Sequence, residues 1–308
     1  MQPTVAPLPH LFYLVICLFG ILWGPASNAG VSQWTDVSIR QGHIYVPVSI
    51  GSAKGWALLD TGAEIFAINK RLIANDVDLK EGVAVNIAGV YGNEKRKVYN
   101  DVPVDLFGST FEWSGLVDAD LGDDLLLVVG ESFFNQLVVQ MDYPNQRIRI
   151  MTHDAVDLKK SENIRLRKKK YQQPQVLVTL GNNKKEWLLF DTGFNGGVMV
   201  TRRMATMRGW IDPNDQATHQ GRGAVRSANM IGFTLPEVTF GPFTLENVLG
   251  STPAKGAKLN LPGEQGQTGT KFKKKSFEGI VGYDVFKHFV ITMDFKNQRM
   301  HVGLPTES

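Results

Sequence analysis

Beyond Cys17 the 308-residue chain contains no cysteine. Cys17 itself lies inside an apolar N-terminal run and follows Ile16, where a lipoprotein attachment wants a small residue, so it serves neither as a catalytic nucleophile nor as a lipid anchor. A chain that sheds this segment must hold together by burial and hydrogen bonding, without disulfides, even in an oxidising compartment. Sequence motifs are missing as well: there is no His-Glu-x-x-His, no Gly-x-Ser-x-Gly and no phosphate loop. The six histidines, at 10, 43, 153, 219, 288 and 301, show no metal-ligand spacing. Zinc-protease, serine-hydrolase and nucleotide chemistry therefore find no support, and neither metal nor cofactor is expected. "DADLGDD", 118 to 124, lacks the Asp-x-Asp-x-Asp-Gly order and the later Glu of a calcium loop.

A large net charge is absent too. The formal value of +3 is too small to imply nucleic acid. Lysine and arginine do cluster, as "EKRK" at 94 to 97, "RLRKKK" at 165 to 170 and "KFKKK" at 271 to 275, which are expected to be solvated faces capable of weak contact with anionic surfaces. The first 29 residues, by contrast, contain no Asp, Glu, Lys or Arg. There "LFYLVICLFGILW" (11 to 23) is followed by Gly24, Pro25 and "ASNA", the outline of a signal peptide cleaved after Ala29, with Ser27 and Ala29 at the small-residue positions. Thirteen apolar residues are too few for a comfortable membrane span. The expectation is export, to a bacterial periplasm; the alternative, suggested by an n-region whose only positive groups are the terminal amine and His10, is an uncleaved N-terminal anchor.

What remains is long enough for one large or two medium domains, and 43% hydrophobic residues mark it as globular. Its apolar runs are short, rich in Val, Ile, Leu and Phe, and broken by Gly, Asn, Asp and Pro near every tenth residue, which predicts an all-β protein. "IYVPVSIG" leads through "SAKG" to "WALLDTG", and 131 positions later "PQVLVTLG" leads through "NNKK" to "EWLLFDTG". Each Asp-Thr-Gly thus terminates the second arm of a predicted hairpin, with a Trp four places before the Asp. A second repeat follows, because "VVGESFFNQLVVQMDYPNQRIRI" (128 to 150) aligns without a gap to "IVGYDVFKHFVITMDFKNQRMHV" (280 to 302) at an offset of 152.

The second copy is longer by 21 residues, most of them assigned to a loop at 253 to 276. That loop carries Lys255, Lys258, Lys271, Lys273, Lys274 and Lys275 against the single acid Glu264. It is expected either as a positive field favouring acidic substrates or substrates on an anionic surface, or as a disordered solvated loop with no role. The organisation is then 1–29 signal peptide, 30–151 N-terminal lobe, 152–173 basic linker and 174–308 C-terminal lobe, in a chain expected to be a monomer.

Two copies of apolar-apolar-Asp-Thr-Gly, each followed by apolar-apolar-Gly and a short Phe-containing helix, resemble the pepsin and retropepsin aspartic proteases across essentially the whole mature chain, and most of all the bacterial retropepsin-like branch. The resemblance implies a bilobal pepsin-like acid protease fold with pseudo-twofold symmetry, each lobe retropepsin-like. It further implies an aspartic-type endopeptidase with a polypeptide substrate, in which Asp60 and Asp191 are the catalytic pair. Two such carboxyls at hydrogen-bond distance cannot both ionise freely; they share one proton, and the ionised partner activates a water while the protonated one polarises the scissile carbonyl. Thr61 and Thr192 would bond across the pair, and Gly62 and Gly193 would let amides reach the carboxylates. Val128-Val129-Gly130 and Ile280-Val281-Gly282 would run beside the loops as buried strands.

"VNIAGVYGNEKRKVYND", 85 to 101, is the candidate substrate flap, with Tyr91 at its tip and a packed surface aromatic as the alternative for that residue. The chain departs from the pepsin pattern after each Asp-Thr-Gly. Ala63 and Phe194 stand where a carboxylate-supporting hydroxyl is usual, which predicts a less acidic pH optimum. The departure also sustains a second reading, a non-catalytic module binding peptides or a partner protein on the same bilobal fold.

Overall fold

The computed structural model describes residues 30–73, 77–89, 92–168, 173–181, 183–222, 227–257 and 278–305. The signal-peptide segment, Tyr91 and the lysines at 258, 271, 273, 274 and 275 lie outside the described residues. Strands dominate, and among the described residues the only helices are short, Glu131–Phe134, Arg202–Met207 and Tyr283–Phe286 with a 3-10 turn at Lys70–Leu72.

The inner hairpin of the first half pairs His43–Ile50 with Ala53–Leu59, from Tyr45 opposite Leu58 to Ile50 opposite Ala53, about a turn containing Gly51 at φ 58°. Alternate residues Ile44, Val46, Val48 and Ile50 are buried, the period-2 pattern of a strand with one face on the core. Leu125–Val129 then runs parallel to Ala53–Leu59 and antiparallel to Ala67–Ile68. Packed on both sides, all five of its residues are buried.

The second half repeats this wiring. Gln175–Leu180 pairs with Lys184–Phe190; Gly279–Val281 runs parallel to Lys184–Phe190 and antiparallel to Val198–Val200, and it too is wholly buried. The sequence repeat is therefore a repeat of strand pairing, with a loop entering between two strands in each half.

The halves join through the repeated "MD…NQR" segments. Val138–Asp142 lies antiparallel to Val290–Asp294, with Gln140 opposite Thr292. These two residues are separated by the repeat offset of 152, and Gln140 Nε2 donates to Thr292 Oγ1 at 2.7 Å, so the pseudo-twofold axis passes between them. Outward from the axis the sheet runs symmetrically through Arg147–Met151 to Thr35–Asp36 on one side, and through Arg299–Gly303 to Ile164–Arg167 on the other.

The turn chemistry shared by the two repeats explains their residues. Asn145 donates its amide to Asp142 Oδ1 and its side chain to Oδ2, Asn297 does the same to Asp294, and Gln146 (φ 48°) and Gln298 (φ 56°) take the left-handed conformation that closes each turn.

The basic segment expected as a linker contains the strand Ile164–Arg167, which lies within the sheet and pairs with both Arg299–Gly303 and Gln175–Leu180. Ile164 and Leu166 are buried, while Arg165 and Arg167 lie over the Trp187 ring at 5.8 and 4.0 Å. Part of this charge run thus packs on an aromatic face that holds the strand in place.

Candidate active site

Each Asp-Thr-Gly begins where a buried strand ends. Asp60 N donates to Val129 O at 3.0 Å and Asp191 N to Val281 O at 3.1 Å, so both loops hang from the apolar strands that precede Gly130 and Gly282. Those two glycines are compulsory. A Cβ on Gly130 would strike the Ile65 carbonyl and one on Gly282 the Phe194 carbonyl, because each strand turns away directly against the loop backbone.

The threonines tie the loops together. Thr61 N donates to Thr192 Oγ1 at 3.0 Å and Thr192 N to Thr61 Oγ1 at 3.1 Å; the Thr61 hydroxyl then donates to Phe190 O at 2.7 Å and the Thr192 hydroxyl to Leu59 O at 2.8 Å. Four reciprocal bonds therefore run between residues buried to 0% and 1% exposure, and each hydroxyl grips the residue just before the opposite aspartate.

The carboxyl groups meet across this knot and are hydrogen-bonded to each other. A Cβ on Gly62 would come within 2.5 Å of the Asp191 carboxyl, and one on Gly193 within 2.5 Å of Asp60 Oδ1. Only glycine lets each loop lie under the other's carboxylate.

Their surroundings differ. Asp60 Oδ1 accepts from two amides, Gly62 at 2.9 Å and Ala63 at 3.0 Å, whereas Asp191 Oδ1 accepts from one, Gly193 at 2.8 Å. Burial pushes both carboxyls above the usual carboxylate range. For Asp60 the bond to Asp191 and the Ala63 and Gly62 amides pull back; for Asp191 the negative charge of Asp60 adds, and the Gly193 and Gly62 amides pull back. Two carboxyls so placed cannot both ionise freely, and the pair holds one shared proton.

The pair and its four supporting residues are thus brought together. Tyr91 lies outside the described residues, although the hairpin around it, Val85–Gly89 with Gly92–Arg96, forms a two-stranded sheet separate from the rest. Two neighbours had no signature in the sequence. His43, first residue of its strand, faces Asp60; burial lowers its pKa, the Asp60 charge opposing, and its Nδ1 is buried without a partner among the described residues. Gln173, 4% exposed, donates from Nε2 to Gly62 O at 3.0 Å, a bond spanning 111 residues. Among the described residues no group of three or more His, Cys, Asp or Glu is placed to hold a metal ion.

Two β lobes with duplicated wiring, each delivering an Asp-Thr-Gly loop to a common axis, define the pepsin-like, bilobal all-β fold. In agreement, the chain is similar to the crystal structure of the aspartic proteinase from Irpex lacteus, with a TM-score of 0.53 over 90% of this chain and 98% of that one. At 12% identity this likeness shows the fold alone. No protein-family model and no curated protein matches the chain.

Proposed function

We propose that the protein is an exported aspartic endopeptidase that hydrolyses peptide bonds with a water activated between Asp60 and Asp191. The observation that carries this reading is the pair itself: two mutually hydrogen-bonded carboxyls, fixed by four buried threonine bonds. Asp60, with two amide donors, acts as the general base on the water; Asp191, protonated, donates to the carbonyl oxygen, and the proton traffic reverses as the amine leaves. No covalent intermediate is needed.

The pH dependence follows from the same asymmetry. Activity requires Asp60 ionised and Asp191 protonated, so the rate falls at low pH when Asp60 takes a proton and at high pH when Asp191 loses one. Because burial holds both above the ordinary carboxyl range, the optimum lies above pH ~4, the model carboxyl value. A rate that keeps rising below that pH contradicts the assignment.

The deciding experiment is a cleavage assay on denatured protein, with and without a statine-type inhibitor, which mimics the tetrahedral intermediate. Inhibitable cleavage supports the reading. Peptide binding without cleavage supports the alternative, a binding module, which the missing hydroxyls at Ala63 and Phe194 favour. Export is proposed from the uncharged N-terminal segment, and an intact mass beginning at Gly30 tests it; a product retaining "MQPTVAPLPH" means an anchor.

A further inference from the structure

The loop around Asp60 is held from behind by the other half of the chain. The peptide group joining Gly62 to Ala63 has two ends: its N–H, on Ala63, donates to Asp60 Oδ1 at 3.0 Å, and its carbonyl, on Gly62, accepts from Gln173 Nε2 at 3.0 Å. A donor on the carbonyl polarises the peptide and strengthens the bond its N–H makes, so Gln173, amide and carboxylate form one chain of hydrogen bonds. Gln173 is only 4% exposed, which removes competing water. Next to it, the Ala63 carbonyl accepts from Glu131 N at 2.7 Å, and the Glu131 carboxylate is paired with Lys168 at 2.8 Å, the two side chains 12% and 8% exposed. Gln173 thus bonds the first loop directly, and Lys168 reaches it only through Glu131.

Among the described residues no equivalent side-chain bond reaches the Gly193 carbonyl of the other loop. Shifting Gln173 back by the motif offset of 131 gives Gly42, which lies against Asn195 and the Tyr283 ring beside the second loop and has no side chain to offer. The pseudo-twofold is broken at this position, on the same side where the Asp60 Oδ1 atom accepts from both Gly62 and Ala63.

We propose that Gln173 is a positioning residue for the aspartate pair: its amide holds the Gly62–Ala63 peptide against Asp60 Oδ1, doing from across the molecule what a hydroxyl at position 63 would do locally, and so makes Asp60 the charged partner. This rests on the protease reading, but the property it fixes belongs to the pair whether or not the protein cleaves. The titratable and charged groups facing Asp60 are Asp191 from the opposite loop and His43 from the strand His43–Ile50; behind the loop, Glu131 is neutralised by Lys168. None is altered in the test.

The titration of the pair is read directly by 13C NMR of protein labelled at the Asp carboxyl carbons, the two signals being assigned by their loss in Asp60→Asn and Asp191→Asn. Gln173→Met keeps the length and removes the donor. It is expected to raise the lower apparent pKa of the pair by about 0.2–0.6 of a pH unit, the share of a charge-assisted bond that a polarising neighbour supplies. Gln173→Glu, which has no proton to give when ionised and adds a like charge, is expected to raise it at least as far. An unmoved titration in Gln173→Met overturns the proposal even if its melting temperature falls or Gln173→Glu shifts, since those results mean packing and added charge alone. Should Gln173→Met not fold, Gln173→Leu is read by the same criterion. Absence of cleavage in the parent would sink the protease reading and leave this measurement intact.

Discussion

A buried carboxyl whose pKa is raised on folding binds more protons in the native state than in the unfolded one, and Asp60 and Asp191 are in this condition together. Their contribution to stability is therefore lost as pH rises from the ordinary carboxyl range through the raised values, and the native state stays strained above them. Asp191→Asn should accordingly abolish cleavage, by at least ~10²–10⁴-fold, and at the same time raise the melting temperature at pH 7 by roughly 2–4 °C. Calorimetry from pH 7 downward checks the sign, because the gain must shrink as the parent's own carboxyls become protonated. A less stable Asp191→Asn at pH 7 would mean that the charge at this site stabilises the fold. The threonines invert this relation. Removing the Thr61 hydroxyl by substitution with Val takes away the acceptor of the buried Thr192 amide and the donor to the Phe190 carbonyl, so urea unfolding should show a loss of about 1–3 kcal/mol for each orphaned group.

Among the elements, the strands that end at Gly130 and Gly282 carry the loops, and their closeness can be tested with one methyl group. In Gly282→Ala the new Cβ meets Phe194 Cδ1 at 2.6 Å and presses on its carbonyl, so the strand or the second catalytic loop has to move. Overpacking of this kind costs about 1–3 kcal/mol, and kcat should fall with it because the loop carries Asp191. Gly232→Ala, with nothing nearer than 3.5 Å, is the control and should stay within ~0.5 kcal/mol of the parent. The carrier strands were legible in the sequence because apolar runs before Asp-Thr-Gly and Gly are local patterns, and so was their duplication. The bridging strand Ile164–Arg167 was concealed: its alternation is four residues long, and the arginines that pack on Trp187 look in sequence like solvated charge. Gln173 and His43 lay beyond reach for another reason. Gln173 acts on a loop 111 residues away and His43 on a carboxyl at the far end of its own hairpin, so no local spacing encodes either.

For the whole molecule, the sheet that crosses the axis is continuous from Thr35–Asp36 of the first half into the Asp-Thr-Gly strands of the second. Breaking it exposes buried strands of both halves, so the halves should unfold together: calorimetry is expected to show one transition whose van't Hoff and calorimetric enthalpies agree. Two resolved transitions would show that each half is stable alone. Gln140 and Thr292, facing each other at the axis, carry a further consequence. In an assembly of two identical subunits the residue at the dyad must face its own copy, and the two active carboxyls are indistinguishable until something asymmetric arrives. A single chain is released from that rule at every position, as Gln opposite Thr and Gln173 in place of Gly42 both illustrate. Such a chain can assign the proton before the peptide arrives, and with it a direction: one face of the site is the base in every turnover, and a substrate bound the other way round meets the wrong charge.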